Sequence, residues 1–182
     1  LLTAAYQARI MSNQLALRDA YRKENTNDKK NVDIEKVHQA YKLAKIVAFA
    51  QGFNLYRDAS NKYNWNLNLK QIAAIFRAGC IIQAKLLQDI MHAYDDGADD
   101  LLLYPVFKNE VLENTSALKE IVVQSIDLPL PVFTAALTYI NQLSSTCLGA
   151  NIIQGQRDFF GAHTYQRVDR EGFEHHQWGS YE

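Results

Sequence analysis

Asp33-Ile34-Glu35-Lys36-Val37-His38-Gln39-Ala40-Tyr41-Lys42-Leu43-Ala44-Lys45-Ile46-Val47-Ala48 is the stretch that decides the fold class. Ile34, Val37, Tyr41, Ala44 and Ala48 recur at alternating intervals of three and four residues, which aligns them along one stripe of an α-helix. Asp33 stands just ahead of the run, and its carboxylate suits the orphan N–H groups of a first helical turn. Past Val47 the apolar residues spread to more than one side (Phe49, Phe53, Leu55, Tyr56), which predicts a more buried end. Gly52 sits inside this segment. A helical glycine costs about 1 kcal/mol relative to alanine, so a packing or close-approach reason is expected there.

The same periodicity extends outward. Residues 1–24 read as a helix with Tyr6, Ile10 and Leu17 among its apolar positions, and Glu24 to Val32 as a solvated loop. Asn68 followed by Gln71 gives a capping-box-like start, with Leu67 and Ile72 at the staple positions. Ile81 to Tyr94 is helical in pattern, and Asp95 to Asp100 is an acidic turn around Gly97. Pro105 can open a helix to about Glu113, and Ser116 a second one with Leu118, Ile121, Val122, Ser125 and Ile126 on one face. After Pro129 and Pro131, Phe133, Ala136, Leu137, Ile140 and Leu143 face together. A last helix spans about Ala150 to Phe160, with Gly161 as its expected C-terminal cap. No segment shows strand alternation. The fold class is therefore all-α, with a multi-helix domain over residues 1–163 and an extended polar tail over residues 164–182.

Bulk numbers bound the function. The chain has 182 residues, enough for one ordinary domain. Eight glycines and three prolines leave few turns. Nineteen Lys and Arg against twenty Asp and Glu leave no basic excess, which disfavours a nucleic-acid partner. No apolar run approaches the ~20 residues of a bilayer span, and no secretory signal is visible, so no membrane partner is expected. The chain begins with Leu1 rather than Met and reads as a fragment or processed form. Cys80 and Cys147 lie far apart in apolar stretches and read as buried free thiols of a reducing compartment. No two glycines are two apart, so no G-x-G-x-x-G dinucleotide loop occurs in these 182 residues, nor does a G-x-x-x-x-G-K-[ST] loop.

Chemistry concentrates in Gln156-Arg157-Asp158-Phe159-Phe160-Gly161-Ala162-His163. A helix end presents Arg157, Gly161 frees the backbone and His163 follows. Arginine offers a planar fork of donors to phosphate or carboxylate, and histidine adds a charge or a hydrogen bond. On residue chemistry alone, a surface ion pair or a carbonyl cap is the commoner use of such an arginine. Arg9 and Arg77 pose the same choice between snorkelling to solvent and holding an anion. Asp95, Asp96, Asp99 and Asp100 lack calcium-loop spacing, and His163, His175 and His176 lack zinc spacing, so no metal site is expected. Phe173, Trp178 and Tyr181 along the polar tail suit anchors in grooves of a partner or of the same domain, the alternative being a frayed end.

Together, Phe49-Ala50-Gln51-Gly52-Phe53, Trp65-Asn66-Leu67-Asn68, Arg77-Ala78-Gly79-Cys80-Ile81-Ile82 and Gln156 to Tyr165 resemble the decarboxylating 6-phosphogluconate dehydrogenase family, in order and over essentially the whole chain. The part resembled is that family's helical C-terminal domain. The resemblance implies an NADP-dependent oxidoreductase of the pentose phosphate pathway and gluconate utilisation, a cytoplasmic homodimer. It converts 6-phosphogluconate to ribulose 5-phosphate and CO2. It also implies that the Rossmann domain, which binds most of the NADP, and the catalytic lysine and glutamate precede Leu1. The catalytic set of this chain is then empty, its cofactor contacts are unknown, and the fragment alone is expected to be inactive.

Residue by residue, Ala5-Tyr6-Gln7-Ala8-Arg9 matches the family's phosphate-binding arginine helix. Arg157 and His163 match the arginine and histidine that reach the substrate from the other subunit. Arg9, Arg157 and His163 are therefore the expected substrate-binding residues. The tail is expected to cross onto or thread through the partner subunit. Gln83 departs from a frequent family arginine and is read as structural. Two competing readings are a non-enzymatic α-helical interaction module sharing the fold, and the helical domain of a related β-hydroxyacid dehydrogenase, which lacks the Arg157-to-His163 motif.

Overall fold

The computed structural model describes residues 1–21, 33–77, 80, 84–126 and 128–179. The loop read at Glu24 to Val32, the helix start read at Ile81, Gln83 and Tyr181 lie outside the described residues. The described elements are α1 (Leu2–Ser12), α2 (Leu15–Ala20), α3 (Ile34–Tyr63), α4 (Leu69–Ile75), α5 (Leu86–Asp95), a 3-10 turn (Leu101–Leu103), α6 (Pro105–Gln124), α7 (Pro131–Leu143) and α8 (Ala150–Gly161). Two strands of two residues, β1 (Tyr165–Gln166) and β2 (Phe173–Glu174), pair antiparallel. The all-α class holds, and the strands are too short to leave an alternation signal in the sequence. The chain divides into two compact units, Leu1–Ile140 and Asn141–Glu182.

The first unit is organised by α3. Asp33 caps it as expected, accepting from the N–H groups of Glu35 and Lys36. Two sides of this helix serve two cores. Ala40, Leu43, Ala44 and Val47 meet Leu118 and Ile121 of α6 with Ala136 and Ile140 of α7. Ile46, Ala50 and Phe53 meet Ala73 of α4, Leu87, Ile90 and Ala93 of α5, Leu101 and Leu102, and Phe107 of α6. Small residues at 40, 44 and 50 let neighbouring helices approach closely. Burying a side chain such as Phe53 contributes about 1.5–3 kcal/mol by transfer from water.

The buried stripe is turned relative to the one read from spacing. Ile34, Tyr41 and Ala48 are exposed, whereas Ala40, Leu43 and Val47 are buried. Both stripes satisfy helical periodicity, and the neighbours α6 and α7 select one. The end of α3 is only partly buried, since Leu55 and Tyr56 are exposed. Beyond its chain neighbours and its own helix backbone, no described atom lies within 4 Å of a Cβ built on Gly52, so no close approach among the described residues explains that glycine.

Three boundaries also differ from expectation. The helix read over residues 1–24 breaks at Asn13 and Gln14 into α1 and α2, where the Ser12 hydroxyl donates to the Arg9 carbonyl. The two helices expected on either side of Thr115 are one, α6. Between the two expected helices, the buried Asn114 amide donates back to the Glu110 carbonyl, and the Thr115 hydroxyl to that of Val111, so the helix continues. α8 runs through Gly161, and the left-handed capping position is Ala162 (φ 49°, ψ 40°). Asn68 does cap α4, accepting from Gln71 N–H.

The acidic turn folds as a ring of satisfied carboxylates. Asp95 pairs with Lys70 and Asp99 with Arg57, Tyr104 donates to Asp96, and Asp100 accepts from Asn54 and from Leu102 N–H. Cys80 is half-buried, but Cys147 is exposed, which corrects the expectation of two buried thiols.

Candidate functional site

The site-bearing part of the second unit is the end of α8 and the chain that turns back from it. Arg157 and Asp158 are adjacent, yet Arg157 is exposed and Asp158 wholly buried. Ala162 donates its N–H to the Asp158 carbonyl and closes the helix in the left-handed region. Thr164 also holds a positive φ of 62°. Two such residues in close succession reverse the chain around His163. Left-handed backbone is uncommon for non-glycine residues, and more so for a β-branched one, so something must hold this turn.

Side chains supply the hold. The buried Asp158 carboxylate accepts the Thr164 N–H at 2.9 Å, the His175 ring at 2.9 Å, the His176 N–H at 3.0 Å and the Trp178 indole at 3.0 Å. Burial alone pushes this carboxyl up, but the His175 ring, the His176 N–H, the Trp178 indole and the Thr164 N–H outweigh it. The carboxyl is held well below the usual carboxylate range. Trp178 also meets the Phe159 ring edge-on at 5.5 Å. The described tail is thus seated on α8 within its own unit, with β1 and β2 between.

Arg157 and His163, both expected as ligands, come together. Arg157 Nη2 lies 3.4 Å from His163 Nδ1, and Nη1 donates to Gln154 Oε1 at 3.1 Å. Gln154 donates its amide to the Thr164 carbonyl, so one side chain touches both the arginine and the turn. For the guanidinium to donate, Nδ1 must be the lone-pair nitrogen of the imidazole. An anion at a helix C-terminus opposes the macrodipole, so cationic side chains must carry its binding there. Arg157 has further N–H groups beyond the two engaged, and its exposure leaves them accessible.

Arg9 lies on α1 of the first unit, exposed, with no carboxylate partner among the described residues. α1 buries none of its own residues. Arg77 is exposed, with one N–H directed at the Met91 sulfur at 3.7 Å. Asp158 and Gln154 were missed as site residues. Their signal was faint: a lone acid between Arg157 and two phenylalanines, and a tail rich in ring N–H donors.

Among the described residues no cluster of His, Cys, Asp or Glu is arranged for a metal. Among the described residues there is no parallel sheet with a glycine-rich turn onto a helix, the usual dinucleotide cradle.

The family model for the 6-phosphogluconate dehydrogenase C-terminal domain matches residues 1–178. Decarboxylating 6-phosphogluconate dehydrogenase of Salmonella typhimurium is 50% identical over 149 residues, covering 80% of this chain and 32% of that protein. The Staphylococcus epidermidis protein of the same name is 48% identical over 155 residues, covering 83% and 33%. The chain thus spans about a third of the length of these relatives. Among solved structures, Plasmodium falciparum 6-phosphogluconate dehydrogenase, determined in apo form, with its cofactor NADP+ and with its substrate 6-phosphogluconate, matches with a TM-score of 0.82 and 34% identity. That match covers 93% of this chain and 38% of that one.

Proposed function

The chain belongs to the 6-phosphogluconate dehydrogenase family through its C-terminal domain, and on that premise we propose that it forms the substrate-gripping and dimer-forming part of an NADP-dependent decarboxylating 6-phosphogluconate dehydrogenase. The enzyme oxidises 6-phosphogluconate and releases CO2 to give ribulose 5-phosphate in the pentose phosphate pathway, in the cytoplasm. In this reading Arg157 and His163 bind the substrate phosphate from one subunit and Arg9 binds it from the other. The catalytic lysine and glutamate and the cofactor fingerprint belong to other parts of the enzyme.

The observation that carries this reading is the 3.4 Å pairing of Arg157 with His163 at an exposed helix end, inside the family-matched segment. A phosphate dianion is held best by converging guanidinium forks with an added donor. Placing the donors on two subunits makes tight binding conditional on dimerisation. The chain's share of the chemistry is to bind and orient the sugar by its phosphate, leaving the carbon chain to groups elsewhere in the enzyme.

Calorimetric titration tests it. 6-Phosphogluconate should bind the complete polypeptide at least tenfold more tightly than gluconate, and Arg157→Ala should remove that preference. Equal binding of the two sugars would refute the assignment. The 182-residue chain alone should reduce no NADP+ when given 6-phosphogluconate.

A further inference from the structure

We propose that Asp158 is a positioning residue for the phosphate site, and that through it the docked tail sets the geometry of the Arg157–His163 pair; this rests on the phosphate-binding reading of those two residues. A carboxylate with no solvent exposure is a costly way to anchor a tail, since it must be fully satisfied to be tolerated. An apolar side chain beside Phe159 would seat Trp178 without that cost. What the carboxylate adds is direction. Oδ1 accepts the N–H of Thr164, the residue directly after His163, while Gln154 holds the Thr164 carbonyl. Both peptide groups of Thr164 are thereby fixed, and its φ of 62° persists because these bonds over-determine it. His163 leaves the chain between this clamp and the left-handed Ala162, so its ring position follows from them.

The same carboxylate is shared with the tail. Oδ1 also accepts from His175, and Oδ2 from the His176 N–H and the Trp178 indole. Releasing the tail leaves a buried charge short of donors, which must then turn toward water and loosen its hold on Thr164. Tail seating and anion binding therefore favour each other, and by linkage the effect is reciprocal.

The test measures 6-phosphogluconate binding by calorimetry and steady-state rates on the complete polypeptide, for Asp158→Asn, Trp178→Phe and Arg157→Ala. Asn cannot accept on both sides, and Phe keeps a ring against Phe159 while removing one donor. Asp158→Asn should raise Kd and KM for 6-phosphogluconate about tenfold or more, with kcat at saturation changed far less. Trp178→Phe should raise Kd about threefold, and a saturating concentration of 6-phosphogluconate should restore its tail protection from protease. Arg157→Ala reports on the underlying reading. If it weakens binding while a folded Asp158→Asn variant binds like wild type, the positioning role is refuted. If Asp158→Asn does not fold, a wild-type Kd for Trp178→Phe refutes it instead. If Arg157→Ala itself binds normally, the phosphate-site reading fails and takes this inference with it.

Discussion

The imidazole of His163 lies beside Gly161, so closely that a Cβ built there would stand 3.1 Å from ring Cδ2 and 3.2 Å from Nε2. Gly161 is the last residue of α8 and its φ is not positive, so the backbone conformation does not itself demand glycine. The ring does.

Gly161→Ala should accordingly separate stability from binding. The backbone accepts alanine, and the helix-propensity gain of up to about 1 kcal/mol offsets the contact. The imidazole must move by a few tenths of an ångström or more, away from its 3.4 Å contact with Arg157. A thermal melt should shift by only a few degrees, while the Kd for 6-phosphogluconate rises about three- to tenfold. An unchanged Kd would show that the placement of His163 over Gly161 is immaterial to the anion.

Asp158 makes a prediction in pH. Its folded carboxyl is held below the ordinary value, so the stability it contributes is fully present above the unfolded pKa of about 3.9. It is lost only as pH falls through the lower folded value. In a Trp65→Phe background, where Trp178 is the remaining tryptophan, its emission should hold steady from pH 7 to about 4 and shift red only in stronger acid. Asp158→Asn should show the red-shifted spectrum already at pH 7. A wild-type transition centred near or above pH 4 would contradict the buried, four-donor arrangement.

How much of this was legible in the sequence depended on whether the deciding information was local. Asp33 and Asn68 announced their helices because a cap is satisfied within three residues, and both accept the expected N–H groups. The face of α3 was misjudged because two stripes fit the same spacing, and the choice between them is made by α6 and α7. A helix ending near Glu113 and another opening at Ser116 were expected, whereas Asn114 and Thr115 between them both bond backward and α6 continues. At the site, Arg157 and His163 stood within one motif and were found. Asp158 stood between them and was passed over, since its donors at 175, 176 and 178 become neighbours only once β1 and β2 have reversed the chain.

Gly52 offers a test of packing. It lies inside α3 and, beyond its chain neighbours and its own helix backbone, nothing among the described residues stands within 4 Å of where its Cβ would be. Gly52→Ala in the 182-residue chain should raise stability by about 0.5–1 kcal/mol through helix propensity and a less free unfolded chain. For contrast, Phe53→Ala next to it empties a fully buried ring site and should cost about 3–5 kcal/mol. Urea denaturation of both variants decides this. Destabilisation by Gly52→Ala would reveal a neighbour that fills this space.

The proposed sharing of the phosphate site between two subunits makes the last prediction. Arg9→Ala and Arg157→Ala each remove one guanidinium, so each homodimer of the complete polypeptide should bind 6-phosphogluconate poorly. If Arg9 of one subunit works with Arg157 and His163 of the other, a mixed dimer behaves differently. One of its sites combines both lesions, and the other combines both intact arginines. Random reassortment of equal amounts should then restore tight binding to about a quarter of the sites present in wild type, since half the dimers are mixed and each holds one intact site. Should all three groups belong to one subunit, no mixture can recover a tight site. Titrating the unfolded-and-refolded mixture against each variant alone distinguishes the outcomes, and a recovered fraction near zero would place the phosphate ligands within a single chain.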